Sequence, residues 1–188
     1  MHGGPVGFDK KVWSASTAED ANGPILTLQL LSEDGDQGFP GNLSVTVTYQ
    51  FTHSDELIVD YFATTDKATP VNLTQHSYFN LAAFSAENGG DILNHKAQIF
   101  ADHINAVNEA QIPVGDLMPV AGTPFDFRAP RLIGELINAD HEQIKNGFGY
   151  DHNFLINQKT YKELTLAARV QEETSGRVLE VFTEEPGV

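Results

Sequence analysis

The clearest pattern in the chain is an alternation of apolar and polar residues between Leu43 and Phe51. Apolar side chains stand at every second position and small polar ones between them, in the order Leu43, Ser44, Val45, Thr46, Val47, Thr48, Tyr49, Gln50 and Phe51. Successive side chains of a β-strand point to opposite faces of a sheet. The period of two therefore predicts a strand with one buried face.

Six further segments are rich in β-branched and apolar residues and predict strands: Ile25–Leu31, Glu56–Thr64, Ala97–Ala101, Asn153–Ile156, Leu164–Val170 and Leu179–Thr183. Gly, Pro, Asn and Asp separate them and predict turns at residues 34–36, 39–41, 87–90, 112–115 and 174–176. Many short strands joined in this way indicate an all-β protein, an antiparallel sandwich or barrel.

Helical spacing of apolar residues occurs only around Pro130–Asn138, where Pro130 suits a first helical turn. The long segment Ala82–Phe127 shows few regular elements, and we expect it to be rich in loops that could carry binding groups. No linker, repeat or low-complexity tract interrupts the chain. We therefore expect residues 1–188 to form a single domain.

Composition narrows the classes of function. With 40% hydrophobic and 20% charged residues the chain is globular, and its formal charge of −15 argues against nucleic acid and anionic membranes as partners. The sequence contains no cysteine, which excludes disulfides and thiolate metal sites. No apolar run reaches the roughly 20 residues of a membrane span, and no signal peptide is visible. These features favour a cytoplasmic protein.

His76 is the strongest candidate for chemistry. It lies in the run Asn72-Leu73-Thr74-Gln75-His76-Ser77-Tyr78-Phe79-Asn80-Leu81, among aromatic and amide side chains. Imidazole titrates near neutral pH and can donate a proton there, whereas an aromatic side chain offers a flat apolar surface to a sugar ring. A lone histidine is nevertheless more often structural than catalytic.

His2 and Asp151 are the next candidates. The glycines after His2 would let a ligand approach the backbone closely, although a histidine at a chain start is commonly solvated. Asp151, between Tyr150 and His152, could accept hydrogen bonds from adjacent hydroxyl groups, or could cap a turn or strand end. The residues Asp91, His95, Asp102 and His103 match no metal-ligand spacing, and we expect no metal site.

Four segments resemble, in the same order, the galactose mutarotase or aldose 1-epimerase family: His2–Lys10, Asn72–Leu81, Thr123–Arg128 and Gly149–Phe154. The resemblance implies a large antiparallel β-sandwich, the galactose mutarotase-like supersandwich, which in this chain would be incomplete at both ends. It implies that His76 is the general acid and that His2, Ser77, Tyr78, Phe79 and Asp151 bind the substrate. For Thr123–Arg128 we expect only a structural role.

The implied reaction interconverts the α and β anomers of an aldohexose such as galactose or glucose. An acid protonates the ring oxygen while a base deprotonates the C1 hydroxyl, and the ring opens and closes again. Only protons move, so no cofactor is expected. The family's base is a glutamate further along its sequence, beyond a Pro-Gly-Val-Gln segment, and this sequence ends at Pro186-Gly187-Val188. We therefore expect the chain alone to be catalytically impaired.

A second hypothesis stays open from the sequence. The same three residues, His2, His76 and Asp151, could belong to a carbohydrate-binding β-sandwich that binds a hexose without catalysing its conversion. A sugar-phosphate epimerase is disfavoured, because its pocket would need basic residues. The sequence does not indicate which aldose is preferred or which oligomeric state the protein adopts.

Overall fold

The structure, a computed structural model, describes residues 3–83, 90–160 and 162–188. The chain divides into two compact units, Met1–His76 and Ser77–Val188, called here the N-terminal and the C-terminal unit. Both are built almost entirely from antiparallel strands. The prediction of an all-β fold is therefore confirmed.

The N-terminal unit contains one four-stranded sheet in which each strand pairs with the next along the chain. Its strands are β1 (Ser14–Asp20), β2 (Gly23–Ser32), β3 (Leu43–Phe51) and β4 (Leu57–Thr65), with single 3₁₀ turns at Phe8–Lys10 and Asp36–Gly38. The bounds of β3 coincide with those predicted from the alternation of apolar and polar residues. Val45 of β3 stands opposite Leu30 of β2 and Ala63 of β4.

One face of this sheet is buried. Leu43, Val45 and Val47 form its core, since alternate residues of β3 point to the same side. Partly buried side chains pack against that core: Phe8, Trp13, Leu28, Tyr49, Val59, Ala63 and Leu73. The polar residues of β3 lie on the opposite face, as the period of two requires.

The C-terminal unit contains two sheets. Its strands are β5 (Lys96–Ile99), β6 (Ala101–Val107), β7 (Pro113–Pro119), β8 (Arg131–Leu132), β9 (Phe154–Ile156), β10 (Thr165–Gln171) and β11 (Val178–Thr183), with one helix, α1 (Glu142–Gly147), and a 3₁₀ turn at Ile133–Glu135. One sheet has the strand order β11-β10-β5-β8, and the other has the order β7-β6-β9. Residues 186–188 extend the second sheet by pairing with β9.

The two sheets of the C-terminal unit enclose a common hydrophobic core. Its buried residues come from strands of both sheets, from α1 and from the segment after β7: Ala97, Ala101, Ile104, Val120, Phe125, Phe127, Ile144, Phe154, Ile156 and Ala167. Side chains from two sheets that meet in one core define a β-sandwich. This agrees with the predicted architecture.

The helix predicted around Pro130–Asn138 is wrong. Arg131 and Leu132 instead form β8, which pairs with Ala97 and Lys96 of β5, and the chain then makes a 3₁₀ turn. Gly134 packs so closely that a Cβ atom there would lie 2.9 Å from the Leu93 Cβ. Pairing with a distant strand thus outweighs the local helical spacing. The observed helix α1 is only six residues long, too short to produce a clear period in the sequence.

The expectation that Ala82–Phe127 is rich in loops is also wrong, because β5, β6 and β7 lie within it. The turn predicted at 112–115 lies earlier, where Asn108 accepts backbone hydrogen bonds from Ala110 and Ile112. Pro113 opens β7, a position at a strand start that tolerates proline. In the described part of the chain, every helix is too short or too polar to cross a lipid bilayer.

Candidate functional site

His76 ends the N-terminal unit, on a segment without regular secondary structure that follows β4. The segment is attached to the unit before it reaches the histidine. Leu73 packs against the β3 core, and the backbone of Gln75 hydrogen-bonds to Tyr61 of β4. Burial raises the pKa of the Tyr61 hydroxyl, and the bond from Gln75 opposes that rise. His76 is exposed to solvent, and it directly follows Gln75, whose backbone is held by this bond.

Ser77, Tyr78 and Phe79 open the C-terminal unit and are exposed. Tyr78 is 89% exposed, an unusual position for a large aromatic residue. The next residue, Asn80, begins a compact turn in which its side chain accepts a bond from the Ala82 amide at 3.0 Å. Its side-chain amide donates to the Gly90 carbonyl at 3.0 Å.

Leu81 is held from two sides. Its amide donates to Nε2 of His95 at 3.0 Å, and its carbonyl accepts from the Arg177 Nη1 at 2.9 Å and the Ser175 Oγ at 3.2 Å. His95 lies directly before β5, whereas Ser175 and Arg177 belong to the turn between β10 and β11. Sequence reasoning missed these three residues, since only the strand pairing brings them to Leu81.

Asp151 lies on the connection from α1 to β9 and is exposed. The residues on either side of it are anchored. The Tyr150 hydroxyl donates to the Pro124 carbonyl at 3.1 Å, and its ring packs edge-on against Phe125 at 5.4 Å. His152 is buried, and its ring centroid is 4.6 Å from that of Phe125. The carboxylate of Asp151 is thus presented to solvent from a rigid stretch of backbone.

The hydrogen bonds around His152 fix its protonation. Gln143 of α1 bonds both backbone groups of Val107, accepting its amide at 2.8 Å and donating to its carbonyl at 3.0 Å, which sets the orientation of the side-chain amide. Gln143 Oε1 is therefore an acceptor, and His152 Nε2, 3.1 Å away, must be the donor. Burial lowers the pKa of His152, although nearby Asp151 partly opposes this effect. A neutral ring therefore carries its proton on Nε2.

His2 lies outside the described residues. Gly4, close to it in sequence, has a positive φ of 103°, and a Cβ there would meet the Gln37 side-chain oxygen at 2.8 Å. Among the described residues, no group of histidine and carboxylate side chains is arranged to hold a metal ion. His95, one of the residues considered above as a metal ligand, instead accepts a hydrogen bond from the Leu81 amide.

The segment Thr123–Arg128 contributes to the core through Phe125 and Phe127. Asp126 and Arg128 form an ion pair at 2.8 Å on its surface, and the hydrogen bond from Arg128 lowers the pKa of Asp126 to about 2. An open surface cavity of about 470 Å³ lies beside this segment, lined in part by Thr123, Asp126 and Arg131. The predicted site residues that the structure describes do not line it.

Comparison with known proteins places the chain in a family. The family model described as aldose 1-epimerase matches residues 1–188. The galactose mutarotase of Homo sapiens is 45% identical over 188 residues, which is all of this chain and 51% of that protein. The aldose 1-epimerase of Escherichia coli K12 is 43% identical over the same length, 52% of that protein. The chain belongs to the aldose 1-epimerase family.

Solved structures agree with that assignment. The crystal structure of galactose 1-epimerase from Lactobacillus acidophilus NCFM superposes on 92% of this chain with a TM-score of 0.80 and 34% sequence identity, over 48% of its own length. The GalM/aldose epimerase homologue from C. elegans shares the fold, with a TM-score of 0.78. The chain spans about half the length of the curated relatives it matches.

Proposed function

We propose that this chain carries the acid-donating part of an aldose 1-epimerase site, which interconverts the α and β anomers of hexoses such as galactose and glucose. The observation that carries the proposal is the combination of family membership over all 188 residues with an exposed His76 at a fixed point of the backbone. A catalytic acid must reach the substrate, yet its position must be reproducible.

In this proposal each residue has one task. His76 donates a proton to the ring oxygen of the sugar and takes it back when the ring closes. The exposed rings of Tyr78 and Phe79 cover the apolar face of the sugar, and Ser77 and His2 add hydrogen bonds. The Asp151 carboxylate, held between Tyr150 and His152, accepts bonds from two adjacent hydroxyl groups. The chemistry moves only protons and requires no cofactor.

The general base is the part of the proposal that these residues do not supply. We infer that the family's base glutamate has no counterpart among these 188 residues. Glu184 and Glu185, near the end of the chain, are exposed and follow β11. Loss of a general base typically reduces the rate by about 10³, within the range of 10²–10⁴ for acid–base catalysis. That factor corresponds to about 4 kcal/mol of activation free energy.

The experiment is polarimetry of freshly dissolved α-D-galactose. The purified 188-residue chain is compared with the same chain extended beyond Val188 by the corresponding part of the Escherichia coli relative. We expect the extended chain to accelerate the optical change and the shorter chain to be about 10³-fold slower. In the extended chain, His76→Ala should reduce kcat by about 10²–10⁴.

His53→Ala is the matched control, because His53 is an exposed histidine in the turn between β3 and β4. Its substitution should leave the rate unchanged. If the 188-residue chain alone turns over at the normal rate, its base lies within these residues and the account of the glutamate is wrong. If the extended chain binds galactose without accelerating mutarotation, the protein is a sugar-binding sandwich.

A further inference from the structure

The backbone of Leu81 is gripped by three side chains that the proposed chemistry does not use. His95 accepts its amide hydrogen at 3.0 Å, and Arg177 and Ser175 donate to its carbonyl at 2.9 and 3.2 Å. We call these three residues the Leu81 clamp. They come from the start of β5 and from the turn between β10 and β11. Side chains from two distant parts of the chain thus hold the backbone of one residue in an irregular segment.

His95 is committed to this contact. A backbone amide can only donate, so Nε2 of His95 must be unprotonated, and a neutral ring then carries its proton on Nδ1. The residue is only 2% exposed. Its own backbone is fixed by bonds to Ile92 and from Ile133. Burial of a polar ring is costly unless it makes hydrogen bonds. Leu81 provides the bond to Nε2, whereas Nδ1 is buried without a hydrogen-bond partner among the described residues.

The opposite side of the clamp is equally well supported. Glu172, 6% exposed, accepts the amides of Thr174 and Ser175 at 2.9 and 2.6 Å and thereby orders the turn. The Arg177 carbonyl accepts a hydrogen bond from the Glu172 amide at 3.0 Å. These bonds, led by those from Ser175, lower the pKa of Glu172 to about 2, so the carboxylate is ionised at neutral pH.

The clamp is more elaborate than packing requires. Leu81 lies outside the hydrophobic core of its unit, and its side chain is only partly buried. Two residues before it is Phe79, and five residues before it is His76. A loop that merely connects two elements tolerates variation in its path. A loop that presents a catalytic acid does not, because an error of about 1 Å can cost about 10² in rate.

We infer that His95 is a positioning residue for the proposed reaction: by holding the Leu81 amide, it sets the path of Ser77–Phe79, the segment that follows His76 directly along the chain. This inference rests on the proposed function. Arg177 and Ser175 assist by holding the Leu81 carbonyl. His95 itself takes no part in proton transfer to the sugar.

The test compares His95→Leu with His95→Gln in the extended chain. The Gln side-chain oxygen lies as many bonds from Cβ as Nε2 does in histidine, so it can accept the same hydrogen, whereas leucine cannot. We expect His95→Leu to lower kcat about 10–100-fold, with KM changed by less than about threefold. His95→Gln should restore kcat to within about threefold of the original. His53→Gln is the matched control and should have no effect.

Hydrogen exchange at the Leu81 amide reports the clamp independently of activity. Exchange should be faster in His95→Leu and near normal in His95→Gln. If His95→Leu frees the amide yet leaves kcat unchanged, the inference is overturned. If His76→Ala leaves the rate unchanged while Leu81 exchange responds as expected, the proposed function fails instead.

A second variant keeps the inference testable if His95→Leu does not fold. Arg177→Met removes a donor to the Leu81 carbonyl from an exposed turn without disturbing a buried residue. We expect a smaller loss of kcat, about two- to tenfold, with the melting temperature retained. A normal kcat together with faster exchange at Leu81 would contradict a positioning role for the clamp.

Discussion

The two units of the molecule are built from the same kind of strand but bury very different cores. Among the described residues, the buried core of the N-terminal unit consists of Leu43, Val45 and Val47, all from β3. In the described part of the C-terminal unit the core contains ten buried residues, contributed by both sheets, α1 and the segment after β7. A single sheet covered by a few side chains gains much less from burial than a sandwich does.

The exposure of residues on the two edge strands of the N-terminal sheet, β1 and β4, shows the same contrast. Phe62 and Leu57 of β4 are 67% and 50% exposed, and every residue of β1 is exposed. The C-terminal unit instead packs Phe125 and Phe127 inside, with Tyr150 and Phe154 against them. We infer that the C-terminal unit is the more stable of the two and that it provides the rigid support for Asp151 and the Leu81 clamp.

Removing the central aromatic ring of the sandwich should have the largest effect on stability. Phe125 is 0% exposed and contacts Tyr150, His152 and Phe154. Phe125→Ala should lower the free energy of unfolding by about 3–5 kcal/mol, the range for a deleted core phenylalanine. Urea unfolding, followed by hydrogen exchange in β5, β6 and β10, measures this change.

The matched variant in the N-terminal unit is Val45→Ala. Val45 is fully buried, and losing two methyl groups should cost about 2 kcal/mol. The single tryptophan, Trp13, packs against that core and donates to the Phe8 carbonyl at 2.9 Å, so its fluorescence reports the N-terminal unit. A Val45→Ala loss as large as that of Phe125→Ala would refute the contrast between the two cores.

The unit with the thinner core is the one that the sequence predicts better. One-sided burial makes the residues of β3 alternate, so its bounds can be predicted without knowledge of its partners. In the C-terminal unit the predicted segments overlap β5, β9, β10 and β11 but leave out β7 and β8, and β8 has only two residues and pairs with β5, which is distant along the chain. Short strands buried by distant partners leave little periodicity, which is why the helix around Pro130–Asn138 was predicted in place of β8.

In the candidate site, too, residues with a local sequence pattern could be predicted, and residues brought together by distant contacts could not. His76 and Asp151 could be proposed from the sequence, because their neighbours form a recognisable pattern. His95, Ser175 and Arg177 could not be proposed, since nothing local relates them to Leu81. The single-domain expectation also depended on local signals, and it stays a prediction beside the two compact units of the structure.

The next largest effect should come from adding a methyl group to α1. A Cβ at Gly147 would lie 2.7 Å from the Cε1 of His152, whose ring is held by Gln143 and Phe125 and cannot move away. Alanine favours a helix over glycine by about 1 kcal/mol, but overpacking costs about 1–3 kcal/mol. Gly147→Ala should therefore destabilise the C-terminal unit by up to about 2 kcal/mol net.

A double-mutant cycle shows whether the His152 ring causes that loss. In a His152→Ala background the clash is absent, so Gly147→Ala should become neutral or stabilising. Simple additivity of the two substitutions would show that the ring yields to the new methyl group. In the extended chain Gly147→Ala should also raise KM for galactose, because His152 adjoins Asp151, with kcat nearly unchanged.

The smallest effect is expected in the turn between β10 and β11, which lies outside the core. The hydrogen bonds that the Glu172 carboxylate accepts from Ser175 and Thr174 lower its pKa to about 2, from an ordinary value of 4.5. A carboxyl group whose pKa is lower when folded stabilises the protein above the unfolded value and loses that contribution as the pH falls. Thermal melts should therefore show that Glu172→Gln lowers the melting temperature at pH 7, and that the difference shrinks between about pH 4.5 and pH 2.

Glu173→Gln, in the same turn but exposed, is the control and should show much weaker pH dependence. A difference for Glu172→Gln that stayed constant over this range would mean that the turn depends on the shape of the side chain and not on its charge.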